Sequence, residues 1–186
     1  MYQFIVTGGS DMIKENSKSK RQYEDVLNYL LEDPTRSARE IGKKMNSYRQ
    51  MVWRKKKELE DNHVIWGYTA VIDESKINHV IYIMLMKSKP MSRGLADLLI
   101  RRITRDEPRK QNVRVINMFY VNGEYDWVLR FSAPDHATAR RYYDTIRLLY
   151  DEYLLEKPVM IDVTFVLVSE GKSNPEIEKL YNFIPG

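Results

Sequence analysis

Apolar positions in the first third of the chain recur at helical spacing. Tyr23, Val26, Leu27 and Leu30 fall on one face of Arg21–Glu32, which predicts an amphipathic helix. Asp33-Pro34 ends it, because proline has no amide donor and pushes the preceding residue out of the helical region. Ser37 offers an N-cap, and Glu40 three residues later completes a capping-box pattern. The second helix then covers Ala38–Met45, with Ala38, Ile41 and Met45 inward. Asn46-Ser47 makes a short turn, and a third helix opens at Ser47 or Tyr48 and runs to about Asn62. On that helix Val52, Lys56 and Leu59 share the core stripe, where either Lys56 buries its stem while its charge snorkels outward or Trp53 takes over part of the packing. Two short helices across so tight a turn, the second one basic, form a helix-turn-helix.

The period changes after Asn62. Val64–Ile72 (VIWGYTAVI) is rich in β-forming residues, and Gly67 provides a bend, so this stretch is expected to be a hinge strand between domains. The remainder alternates: strand Val80–Lys87, helix Ser92–Thr104, strand Val113–Val121, turn Asn122-Gly123, strand Glu124–Phe131, helix Asp135–Tyr150, strand Val159–Val168. Asn-Gly between two β-rich runs is a strong hairpin signal. The order βαββαβ is that of a ferredoxin-like α+β sandwich, a four-stranded antiparallel sheet with both helices on one face.

The expected organisation is an arm (1–20), a helix-turn-helix domain (21–65), a hinge strand and linker (66–77), a ferredoxin-like domain (78–168) and a tail (169–186). In the arm, Tyr2–Val6 has strand character and Met12 offers a second translation start. The tail holds a short helix over Glu176–Phe183. In the sheet, Ile81, Ile83 and Leu85 alternate with Tyr82, Met84 and Met86, and Val163, Phe165 and Leu167 with Thr164, Val166 and Val168. Strands apolar on both faces imply that the face without helices is covered by a second copy of the chain, so a dimer is expected.

Composition narrows the chemistry. The absence of cysteine excludes disulfides, thiolate zinc sites and a cysteine nucleophile, and fits a reducing cytoplasm. The longest apolar run, Val80–Met86, is far short of the ~20 residues of a membrane helix. Met1–Gly9 has no basic stretch of the kind that opens a secretory signal. A net charge of +4 says little, but its distribution says more. Nine basic residues lie between Arg36 and Lys57 against one acid, Glu40, whereas from Asp73 onward 17 basic residues face 16 acidic ones. Positive charge concentrated in one short segment is what phosphate binding requires.

Residues near the start of the second helix of such a motif face base edges in the major groove. Here these are Tyr48, Arg49 and Gln50, then Trp53 and Arg54 one turn on. Arg49 suits a bidentate contact to guanine and Gln50 one to adenine. Arg39, Lys43, Lys44, Lys55 and Lys57 suit phosphates, where point charge suffices. For Trp53, packing into the core is favoured over contact with a thymine methyl group.

Ser37–Tyr68 (SAREIGKKMNSYRQMVWRKKKELEDNHVIWGY) resembles the helix-turn-helix of the Lrp/AsnC, or leucine-responsive, transcription regulators, and VIWGYTAVID resembles that family's hinge. VNGEYDWVL (Val121–Leu129) is similar to the Gly-x-Tyr-Asp hairpin of its second, RAM/ACT-like domain. The resemblance runs in order from about Arg21 to Val168. Tyr48 and Ser47 depart from it, standing where the family usually has a small hydroxyl residue and a leucine, and so does Lys56, at a usually apolar position. The resemblance implies a winged-helix-like amino-terminal domain, duplex DNA as partner, and assembly as a dimer or higher oligomer. It also implies an amino acid effector held by Gly123, Tyr125 and Asp126, and a cytoplasmic, nucleoid-associated protein.

Two other functions compete. Siroheme decarboxylases are similar in architecture but tend to carry a histidine- and arginine-rich stretch. Here His63, His79 and His136 are scattered, without metal-ligand or catalytic spacing, so neither an enzyme nor a metal or other cofactor is expected. An architectural DNA-binding protein would use the same basic helix without sequence preference.

Overall fold

The structure, a computed structural model, describes residues 17–185. The strand expected at Tyr2–Val6, most of the arm and the Met12 start lie outside the described residues. The chain divides into two compact units, one ending at Ala70 and the other beginning at Val71.

The first unit holds three helices: α1 (Ser17–Glu32), α2 (Ala38–Lys44) and α3 (Arg49–Asp61). α1 begins four residues before the expected Arg21, so Ser17–Lys20 are helical rather than part of an arm. Val26 and Leu30 of α1, Ile41 of α2, and Val52 and Leu59 of α3 form the buried core, with Tyr23, Leu27 and Met45 packed around it. Residues 64–73 form no strand. A β-rich composition becomes a strand only where neighbouring backbone supplies hydrogen bonds, and no strand among the described residues pairs with the segment.

The second unit holds β1 (Val80–Met86), α4 (Arg93–Thr104), β2 (Arg114–Tyr120), β3 (Trp127–Ala133), α5 (His136–Leu149) and β4 (Val159–Asp162). The four strands form one antiparallel sheet in the order β2-β3-β1-β4. This is the expected ferredoxin-like βαββαβ arrangement. Ser92 and Asp135, expected inside helices, are their N-caps: Leu95 N donates to Ser92 Oγ at 3.2 Å and Thr138 N to Asp135 Oδ1 at 2.6 Å. The Asp135 carboxylate is held below its usual pKa chiefly by its hydrogen bonds from the Thr138 amide and then the Thr138 hydroxyl.

Register decides which side chains meet. Met118, Leu129, Met84 and Met160 lie across the sheet in one row, and Val115, Phe131 and Tyr82 in another. These rows face the helices, and all their members but Val115 join Leu95, Leu99, Tyr142 and Ile146 in the core. Phe131 stacks on Tyr82 with centroids 5.3 Å apart and meets Tyr142 edge-on at 5.1 Å. The opposite face carries the row Phe119–Val128–Leu85–Val159 and, beside it, Asn117–Arg130–Ile83–Ile161. Phe119 is 50% exposed and Ile161 47% exposed there.

Two strand expectations need correction. The last strand stops at Asp162, not Val168; Val163 N still donates to Ile81 O at 2.8 Å, and the chain then leaves the sheet. It forms a small hairpin, β5 (Val168–Ser169) with β6 (Lys172–Ser173), turning at Glu170 and Gly171. Both turn residues have positive φ, 47° and 74°, the twist that a two-residue hairpin requires and that Gly171 accepts without strain. Conversely, Asn122-Gly123 is not a two-residue turn: residues 121–126 form a longer loop closed by Val121 N donating to Asp126 O at 2.8 Å. Gly123 is not among the residues with positive φ. The tail ends in a 3-10 turn over Ile177–Phe183.

Candidate nucleic-acid interface

Local chemistry sets the angle between α2 and α3. Ser37 Oγ accepts from Glu40 N at 3.3 Å, while Ser37 N donates to Glu40 Oε2 at 2.7 Å, so the expected capping box is closed. The Ser37 hydroxyl, which also donates to Glu40 Oε2 at 2.7 Å, and then the Ser37 amide hold the Glu40 carboxyl below its usual range. After α2 the backbone turns through Asn46 in the left-handed region (φ 47°), and Ser47 N donates to Gly42 O at 2.8 Å. A Cβ on Gly42 would meet the Ser47 carbonyl oxygen at 2.9 Å, so only glycine lets the turn close this tightly. The sequence reading passed over Gly42; its signal was a glycine inside an otherwise regular helical pattern. Tyr48 is the N-cap of α3, not a helical residue, and its side chain makes no capping bond.

α3 divides cleanly around its axis. At roughly 100° per residue, Val52, Lys55 and Leu59 fall within an arc of roughly 60°, and all three are buried. Arg49, Trp53, Lys57, Gln50 and Arg54 fall within a different arc of roughly 140°, and all five are exposed. Arg39, Lys43 and Lys44 on α2 are exposed as well. Tyr48 is 84% exposed and lines a shallow depression with Arg49, Gln50 and Trp53. Two expectations are overturned here. Trp53 is 59% exposed rather than in the core, with Lys57 Nζ 5.7 Å from its ring. The lysine on the core stripe is Lys55, 2% exposed, and not Lys56. A stripe stepping three and then four residues selects Lys55, whereas the expected reading stepped four and then three. Lys55 Nζ bonds Glu58 Oε2 at 3.0 Å and lies 5.9 Å from the Tyr23 ring, so it is not part of the exposed basic face. Lys56 is half-buried over the Tyr68 ring at 4.7 Å. The Tyr68 hydroxyl donates to Glu60 Oε1 at 2.9 Å, and its pKa is pushed up to about 12 by burial and by that carboxylate.

The second group of expected site residues lies on the β2–β3 loop. Asp126 Oδ2 accepts from Ser88 N at 2.7 Å, and Asp126 N donates to Met86 O at 2.9 Å. Gly123 is exposed with no atom within 4 Å of where a Cβ would stand. Tyr125 is half-buried, with Lys87 Nζ 5.3 Å from its ring; Lys87 also pairs with Glu124 at 3.4 Å and Glu156 at 3.2 Å. The loop therefore brings Tyr125 and Asp126 to the end of β1 and leaves Gly123 projecting. Among the described residues no cluster of histidine, aspartate and glutamate is arranged to hold a metal ion. No described helix is long and apolar enough to cross a membrane.

No protein-family model matches the chain. The chain is 30% identical over 105 residues to a protein of Pyrococcus furiosus described as an uncharacterised HTH-type transcriptional regulator; the match covers 56% of this chain and 65% of that relative, just under two thirds of its length. An AsnC family transcriptional regulator from Agrobacterium tumefaciens shares the fold at a TM-score of 0.61 and 18% identity, over 84% of this chain and 97% of that one. A transcriptional regulator from Neisseria meningitidis, solved as an L-methionine complex, does so at 0.61 and 17%, over 80% and 92%. At these identities the likeness to solved structures is one of fold. The fold is that of the AsnC/Lrp-type regulators, as the resemblance implied, and all three of these relatives are described as regulators rather than enzymes.

Proposed function

We propose that the chain is a sequence-specific, duplex-DNA-binding transcription regulator of the Lrp/AsnC type. The observation that carries this reading is the exposed arc of α3, which presents three cations, a glutamine and an aromatic ring opposite a buried stripe. Arg49 and Gln50 read base edges, Trp53 and Tyr48 supply apolar contact in the same groove, and Arg54, Lys57, Arg39, Lys43 and Lys44 anchor phosphates. Lys55 takes no part.

Operators of such proteins are read by two copies at once, and the sheet offers the surface for pairing. The row Phe119–Val128–Leu85–Val159 supports a homodimer formed through the face opposite the helices. The structure solved with L-methionine supports an amino acid effector, and the family resemblance puts it at the β2–β3 loop, where Tyr125 and the amides around Gly123 contact it. Asp126 acts there by holding Ser88 N and so shaping the loop, rather than by pairing with the ligand's ammonium group. A protein acting on chromosomal DNA works in the cytoplasm, in contact with the nucleoid.

Selection of bound duplexes from a random pool, followed by sequencing, tests the reading. The wild-type protein enriches a motif with two-fold symmetry, and Arg49→Ala broadens the preference at one position of each half-site by about 1–3 kcal/mol. Binding without enrichment of any motif would instead assign the chain an architectural role.

A further inference from the structure

A cavity of about 300 Å³ lies inside the second unit, between α4, α5 and the helix-facing side of the sheet. Leu99, Met118, Leu129 and Ile146 make its walls apolar. Ile103, 62% exposed, and Val115, 36% exposed, stand at its rim, so it opens to solvent beside the end of α4. One cation enters this apolar space. Arg102 lines the cavity, its Nη2 is buried, and that nitrogen has no hydrogen-bond partner among the described residues. The guanidinium carbon lies 6.0 Å from the Tyr150 ring centroid. Buried guanidinium nitrogens are ordinarily satisfied, and an unsatisfied one marks a place where an acceptor belongs.

The surrounding charges define what that acceptor is. Asp106 also lines the cavity, but it is turned largely to solvent and pairs with Arg109 at 3.6 Å. Glu107, on the same turn, pairs with Lys110 at 3.0 Å. The Tyr142 hydroxyl, pushed up to a pKa of about 12 by burial against the opposing pull of the Arg102 guanidinium it meets, stays neutral and adds a second polar group beside Arg102, whose Nη2 keeps no partner. Planar guanidinium geometry matches a carboxylate, and a single cation in an apolar cavity suits a single negative charge. A zwitterionic amino acid fits poorly, since its ammonium group would meet Arg102 and no unpaired carboxylate.

We propose that this cavity is a binding site for a small apolar monocarboxylate, its carboxylate on Arg102 Nη2 and its hydrocarbon body among Leu99, Met118 and Leu129. Gly123, Tyr125 and Asp126 of the β2–β3 loop do not line this cavity, although Ser88, which bonds Asp126, does, and the proposal does not depend on the DNA-binding reading. Its volume suits an arylalkyl acid at the lower end of ligand pockets.

Isothermal titration of the full-length protein with 3-phenylpropionate, its neutral amide and L-phenylalanine provides the test. The acid binds saturably, one per chain, at least tenfold more tightly than the amide or the amino acid. Arg102→Gln brings the acid down to the level of the amide, and Val115→Trp at the rim abolishes binding of both. The proposal is overturned by an absence of saturable binding of the acid, by equal affinity for acid and amide, or by an Arg102→Gln protein that binds the acid as the wild type does. Should Arg102→Gln fail to fold, the preference of the wild-type protein for acid over amide decides.

Discussion

The exposed arc of α3, marked by its charge and its place in the helix-turn-helix, and the β2–β3 loop, marked by the family resemblance, commit their side chains differently. On α3, Arg49, Gln50 and Arg54 form no hydrogen bond or ion pair among the described residues, and the Lys57 ammonium only faces a neighbouring indole. In the loop, Asp126 is already bonded to Ser88 N, and Tyr125 lies beside a lysine held by two carboxylates. A helix that spends one face on its core leaves the other face for a partner. A loop closed on itself spends most of its polar atoms on its own shape.

Substitutions separate the two cases. The largest effect is expected from Arg54→Ala combined with Lys57→Ala. Loss of two phosphate contacts weakens binding to every duplex and reduces the slope of log K against log salt by roughly two, read by fluorescence anisotropy across a salt series. Thermal stability is unchanged, because neither side chain contributes to the core. Asp126→Ala should show the reverse. It leaves the largely buried Ser88 amide without its acceptor and costs about 1–3 kcal/mol in denaturant unfolding, with no change in DNA affinity of the folded protein. An effect of Asp126→Ala on stability below about 0.5 kcal/mol would mean the loop is not held by this bond. The smallest effect is expected from Lys55→Met. The cation is taken out of a buried position and replaced by an apolar chain of similar length, so stability stays level or rises and DNA binding is unaltered. Loss of DNA affinity in Lys55→Met would return this lysine to the interface and blur the division of α3 into two faces.

Much of this architecture was legible in the sequence, for definable reasons. The three helices and the βαββαβ order follow from apolar spacing, and the Ser37–Glu40 box follows from two residues three apart. What was misread depended on partners that spacing does not name. Lys55 and Lys56 are adjacent, and either satisfies a helical stripe; packing against Tyr23 and pairing with Glu58 decided for Lys55. Trp53 is large and apolar, but at its angle on α3 there is no core to receive it. The stretch 64–73 has strand composition without a strand among the described residues to pair with, and Val163–Val168 leaves the sheet for a hairpin signalled by Glu170-Gly171. Arg102 was invisible as a site residue, because nothing in a run of arginines says which guanidinium will be buried.

The central claim is that the exposed arc of α3, together with α2, binds the phosphates and bases of duplex DNA. Its most direct test is an anisotropy titration of the wild-type protein with a labelled duplex from low to physiological salt. Five phosphate contacts per chain, from Arg39, Lys43, Lys44, Arg54 and Lys57, predict a slope of roughly −4 to −5 per chain bound. Binding that is absent at low ionic strength, or present but indifferent to salt, would contradict the account.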